Sequence, residues 1–254
     1  MVSLSHSELK DKSAHNLEEE DEFCWLFLAD VGEERFSIGN NQHRKAAAHW
    51  LGSLHTASAG RAPVVSLPER GPRHYLEHLH NGRERILQNL DNPTLTTDDI
   101  ALMKKVVSIC DILETHWDQI ARFCEQAPST LAHGGFQPKN IHILYDQNEI
   151  ILFPVDWEMA GWGVPAADLA TAHRFPTPLV DLTVYHSMVK NHWPNLNFST
   201  LEKLAGVGRV FCQVAAIDWA SMSLEYPWPE KAITSLEIYH EGLSESIQAK
   251  PWAW

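Results

Sequence analysis

Apolar residues recur along this chain with two different periods, and the changes of period mark the predicted elements. Over residues 40–58, NNQHRKAAAHWLGSLHTAS sets Ala47, Trp50, Leu51 and Leu54 on one face at helical spacing. A stretch rich in Pro and Gly, 60–72, predicts a loop, and a helix follows over about 73–90. Between Thr96 and Glu125, Met103, Val106, Val107, Cys110, Leu113, Trp117 and Ile120 repeat at three and four, which predicts one long helix. Thr96 and Asp99 open it with capping-box spacing, Asp standing in for Glu. The run FCWLFLADVG, 23–32, reads instead as a buried strand ending in a turn at Gly32. Within 131–163, IHIL and EIILFPV flank the turn DQN and form the one convincing hairpin. Helical patterns then predict elements over 165–173, 178–192, 200–222 and 229–248. The expected fold class is mainly α with a small β-hairpin, that is α+β, without internal repeats.

Charge and composition narrow the partners. A formal net charge of −13 argues against the phosphate backbone of nucleic acids, which needs a basic patch. No run of about eighteen apolar residues suggests a membrane span, and the polar N-terminus has no apolar core of a secretory signal. Cys24, Cys110, Cys124 and Cys212 have no paired spacing, so reduced thiols and a cytoplasmic location are expected.

The chemistry concentrates in LAHGGFQPKNIHILYDQNEIILFPVDWEMAGWG, 131–163. His133, Asn140 and Asp156 fall in a loop and at a strand end, where backbone geometry can aim polar groups into a cleft. HGGFQPKN followed by PVDWEMAGWGVPAADLA resembles the aminoglycoside phosphotransferase and choline kinase-like family, relatives of protein kinases. The pattern of that family is H-G-D-x-x-x-x-N and then D-W-E or D-F-E. His133 and Gly134 match, Gly135 stands where the family has its catalytic Asp, and Asn140 and Asp156 match the metal-binding positions. Asp168, in PAADLA, matches a structural Asp that steadies the loop.

The resemblance implies a kinase-like C-terminal lobe over 40–254, a remnant N-lobe strand and hinge over 23–39, and a polar segment over 1–22. That segment holds Lys10 and Lys12 but neither a strand pattern nor a phosphate-binding glycine loop, so most of an N-terminal lobe is expected to be missing. Without a carboxylate at 135 and a nucleotide clamp, use of ATP is not expected, and no cofactor is required. Mg²⁺ at Asn140 and Asp156 would be vestigial.

Three functions remain open: a repurposed enzyme on a small molecule, a non-catalytic pseudokinase-like binding module, and a residual or partner-complemented kinase. In the first, His133, Asp156 and Glu158 would carry ATP-independent acid–base or hydrolytic chemistry. Gly135, Gln137, Lys139, Trp157 and Trp162 would contact the ligand. His133 also reads as a mere loop-shaping residue, and Asp156 and Glu158 as a structural pair. A homodimer or protein partner could cover the face left by the missing lobe. Gly161, Gly163 and Ala166, with Asp181 twenty residues past the first, imitate a dinucleotide fingerprint by coincidence, since no second parallel βα unit is present. His74 and His78 have metal-ligand spacing but read better as chance on a solvated face. The closing KPWAW carries no reading.

Overall fold

Several helices start where a side chain supplies a partner for the free backbone N–H groups. The computed structural model describes residues 30–61, 66–147, 149–170 and 178–253. Helix α1, Asn41–Ser58, is capped by the Asn40 side chain, and α2, Pro72–Gln88, begins on a proline. Helix α3, Thr97–Glu114, has the complete capping box: Thr96 Oγ1 accepts from the Asp99 N–H at 3.2 Å, and Asp99 Oδ2 accepts from the Thr96 N–H at 2.8 Å.

The single helix expected over 96–125 is two. The Thr115 hydroxyl donates to the Ile112 carbonyl at 2.7 Å, and the His116 N–H goes back only three residues, to Leu113. The ladder tightens and stops there, and α4, Trp117–Cys124, starts afresh. The apolar period hid the break because Leu113 and Trp117, on either side of it, are both buried.

The predicted hairpin is present as β2, Ile141–Asp146, paired antiparallel with β3, Glu149–Pro154, in a register that sets Asp146 opposite Glu149. A second antiparallel pair joins β1, Thr130–Ala132, to β4, Gly161–Gly163. Three residues are too few for a periodic signal, so this pair had no signature in the sequence. Of the strand expected over 23–32, residues 23–29 lie outside the described residues, as do 1–22. The backbone around Arg35 pairs with β2: the Phe36 N–H donates to the Ile141 carbonyl, and the Ile143 N–H to that of Glu34.

Past β4 the expected helix over 165–173 is only a 3-10 turn at Ala167–Leu169, with 171–177 outside the described residues. Helix α5 is shorter than the pattern suggested, Leu182–Val189, and Asp181 caps it by accepting from the Thr183 and Val184 N–H groups. The acidic member of the dinucleotide-like pattern is therefore a helix cap.

Helix α6, Phe198–Ser221, buries residues on every side, including Gln213 and Asp218, as a core helix does. It packs against α2 and against α7, Glu230–Ala249. Tyr75 of α2 stacks on Phe211 of α6 with ring centroids 4.3 Å apart. A Cβ on Gly208 would run into the Ala166 carbonyl, so glycine lets the segment after β4 sit directly on α6. Residues Val31–Trp254 form one compact unit. No helix among the described residues is long and apolar enough to cross a membrane.

The unexplained KPWAW has a structural role. Lys250 turns the chain in the left-handed region, and Trp252 is then buried, 1% exposed, its ring 5.7 Å from that of His116. Lys203 Nζ donates to the Ala253 carbonyl at 2.9 Å. Replacing Trp252 with Ala should cost about 3–5 kcal/mol in urea unfolding. A loss under about 1 kcal/mol would mean the tail is only resting on the surface.

Candidate functional site

The loop from His133 to Asn140 hangs from one buried carboxylate. Asp168 Oδ2 accepts from the His133 N–H at 2.7 Å, and Oδ1 from the Gly134 N–H at 2.9 Å. Behind it His55 Nε2 lies 3.3 Å from Oδ2 and donates to it, so His55 Nδ1 accepts from the Tyr185 hydroxyl at 2.9 Å. Burial first, and the Asp168 charge second, raise the Tyr185 phenol well above its usual range and keep it a donor. Asp168 and His55 are completely buried.

Gly134 has φ +72°, and a Cβ there would collide with the Met159 carbonyl, so both its conformation and its surroundings require glycine. Gly135 differs. An added Cβ would meet nothing closer than Asn140 Nδ2 at 3.6 Å, then the Asp156 carbonyl and His133 Nδ1 at 3.7 Å each. A Cβ would fit at ordinary contact distances. Asn140 Nδ2 donates to the Gly135 carbonyl at 2.9 Å, which directs the amide oxygen the other way. The Val155 N–H donates to the Asn140 carbonyl at 2.8 Å, bringing the end of β3 to the loop. Asp156 comes next in the left-handed region, φ 67°, exposed and without a side-chain capping bond. Such a conformation costs about 1–3 kcal/mol in a non-glycine residue and collects at functional sites.

His133 is 0% exposed. Its Nδ1 accepts from the Gly135 N–H at 3.2 Å, and Nε2 is buried without a partner in bonding geometry. Burial lowers the imidazole below its usual range, against the opposing pull of Asp168, the Val155 backbone and Asp156. Its ring lies 4.5 Å from that of Trp157, and Trp50 reaches both Trp157 and Phe136. Aromatic rings thus fill the space around His133. Glu158 is exposed beside Trp157, which is half-exposed and donates through Nε1 to the Pro154 carbonyl.

The expected ligand contacts divide. Gln137 lines a small cavity of about 20 Å³ with Arg70, His74, His78, Gly134 and Trp219. Lys139 is exposed, and its carbonyl accepts from Arg35. Trp162 lies in β4 opposite Leu131 and bridges to Glu69, outside that cavity's walls. His74 and His78 are not a solvated pair: His78 Nδ1 lies 2.7 Å from Asp218 Oδ2, and the two histidine Nε2 atoms are 3.2 Å apart. Burial, Arg70 and His78 push His74 down to about 4. Sequence reasoning passed over Asp218, although a lone carboxylate in the apolar run VAAIDWA was the available signal.

A profile of the phosphotransferase enzyme family matches residues 12–187. The chain belongs to that family. Among solved structures it is similar to a choline kinase from Cryptosporidium parvum Iowa II. The identity is 18%, the TM-score 0.57, and the match covers 86% of this chain and 70% of that one. An aminoglycoside phosphotransferase from Alicyclobacillus acidocaldarius subsp. acidocaldarius DSM 446 matches at 12% identity and TM-score 0.49, over 85% and 67% of the two chains. No curated protein matches significantly. The fold is thus the α-rich, kinase-like α+β fold that the loop pattern implied.

For a metal, the phosphotransferase loop offers two hard oxygen donors, the Asn140 amide oxygen and the Asp156 carboxylate. Among the described residues no cluster of three His, Cys, Asp or Glu side chains could hold an ion. Two such donors suit Mg²⁺ when phosphate oxygens and waters complete its octahedron.

Two outcomes are expected. Asp168→Ala leaves two buried N–H groups without acceptors and should cost about 3 kcal/mol in urea unfolding; a cost below about 1 kcal/mol would contradict the anchoring. The folded chain binds the His74 proton more weakly than the unfolded chain does. Stability from this group is therefore intact above pH 6.5 and lost as the pH falls towards about 4. His74→Gln should lose less melting temperature than wild type between pH 7 and 4.5, and identical slopes would refute this.

Proposed function

We propose that this chain is a small-molecule-binding member of the phosphotransferase family that does not phosphorylate from ATP, and that its loop region serves nucleotide-independent acid–base or hydrolytic chemistry. The observation that carries the reading is Gly135: a loop anchored by Asp168, with Asn140 and Asp156 flanking the position, has no carboxylate there although a Cβ would fit. Phosphoryl transfer needs a group that orients the acceptor hydroxyl, and a general base contributes about 10²- to 10⁴-fold. If Mg²⁺ binds, Asn140 and Asp156 would hold it, and its charge would neutralise a bound phosphate. Asp156 and Glu158, both exposed, are the loop's acid–base candidates. His133 acts by shaping the loop, its ring enclosed by Trp157 and Phe136. Gln137 contacts the ligand from the cavity wall.

A second reading, a non-catalytic binding module, is favoured by the aromatic filling around His133. It is favoured also by an open groove of about 970 Å³ between α1 and the hairpin, where Trp50, Ile151 and Tyr145 present apolar surface to a partner or second copy. Thermal-shift measurements separate these readings from a residual kinase. Mg²⁺·ATP should leave the melting temperature within about 1 °C, because a ligand raises it only by binding the folded state. Gly135→Asp should melt within about 4 °C of wild type, since a Cβ there meets only ordinary contacts and φ is not in the left-handed region. A large Mg²⁺·ATP shift in wild type, with ADP formed, would overturn the proposal.

A further inference from the structure

The hairpin has one covered edge and one open edge. On the β2 side the Phe36 N–H donates to the Ile141 carbonyl at 3.1 Å, and the Ile143 N–H to that of Glu34 at 3.0 Å. The backbone groups of Ile141 and Ile143 therefore point away from β3. By the alternation of an antiparallel ladder, those of Leu152 and Ile150, opposite Ile143 and Tyr145, point away from β2. Among the described residues none of them meets a hydrogen-bond partner. They face the groove of about 970 Å³ whose other wall is α1, with Ala46, His49 and Trp50. At sheet spacings each residue of an added strand takes about 160 Å³, so the groove has room for a strand as long as β3. Natural edges are blunted by lysine, by proline or by a bulge. Strand β3, EIILFP, carries only the proline at its end.

The outer face of the hairpin is apolar along the same edge. Leu144 and Ile151 lie directly opposite each other and are 43% and 36% exposed. We infer that a second copy of this chain occupies the groove, its β3 pairing antiparallel with this β3 about a two-fold axis at Ile151. Ile150 of each copy then exchanges both backbone bonds with Leu152 of the other, which satisfies the open edge. The outer face becomes one row, Leu144 and Ile151 of one copy followed by Ile151 and Leu144 of the other, and apolar surface leaves water. An axis at Ile150 would instead set Ile151 against Glu149. An axis at Leu152 would set Ile150 against Pro154, which has no N–H to donate. Charge permits the contact: Lys45 and Glu149 put both signs at the groove, so the face does not repel its own copy although the chain carries −13. The inference rests on the second reading above, the groove as an interaction surface, and names its partner and register.

The test is the mass of the full chain by sedimentation equilibrium between about 1 and about 200 µM, with folding of every variant checked by thermal melting. Wild type should have the mass of two chains above about 50 µM. Ile151→Lys, at an exposed position, should stay folded and weaken association at least tenfold, because like charges would meet at the axis. Facing residues at that position would have Cα atoms about 4.5 Å apart, within disulfide reach. Ile151→Cys should therefore form a disulfide-linked dimer in oxidised glutathione at least tenfold faster than exposed Gln119→Cys, with wild type as the background for the native cysteines. A wild type that is still a single chain at about 200 µM overturns the inference and leaves the groove to another protein. So does an Ile151→Lys variant as dimeric as wild type, or an Ile151→Cys variant that cross-links no faster than Gln119→Cys. Turnover of a small molecule would overturn the non-catalytic reading and leave the mass unchanged, so the two failures are distinguishable.

Discussion

Asp168 is the constraint on which the site depends. A carboxylate without solvent contact is tolerated only when its oxygens are fully used, and here they are used by the two backbone N–H groups that begin the loop and by His55. The arrangement fixes His133 and Gly134 against α1 through His55 and against α5 through Tyr185. Position 135 can therefore lose its side chain without loosening the loop, because nothing in the anchoring passes through that side chain. The frame and the group presented at position 135 are held by different bonds.

Around this anchor, charge and aromatic packing divide the work. Trp50, Phe136, Trp157 and the His133 ring close the inner side of the loop, and burial keeps that imidazole neutral. The titratable groups that still meet open space lie elsewhere, at Asp156 and Glu158 on one side and at His74 and His78 on the other. The second set sits where α2 and α6 pack closely, and the Asp218 carboxylate is buried in that contact.

Much of this was legible in the sequence. The hairpin, the capping box at Thr96 and the long helices α1, α2, α6 and α7 came from period and turn chemistry, and HGGFQPKN with PVDWE identified the family. Other features depended on tertiary contacts. The break at Thr115 comes from a side-chain hydroxyl competing with the helix ladder under an unbroken apolar period. The β1–β4 pair is too short to carry a pattern. KPWAW is a tail whose tryptophan finds a pocket made by distant residues. His74 and His78 were visible as a spacing, but their partner Asp218 is 140 residues further on for His78, and only the fold brings the two together.

The anchoring is tested most directly by hydrogen–deuterium exchange at the His133 and Gly134 amides. Held by Asp168, both should exchange only through global unfolding, alongside the amides of α6. Exchange of either within seconds at neutral pH, while α6 remains protected, would show that the loop opens on its own, and the preformed site would have no basis.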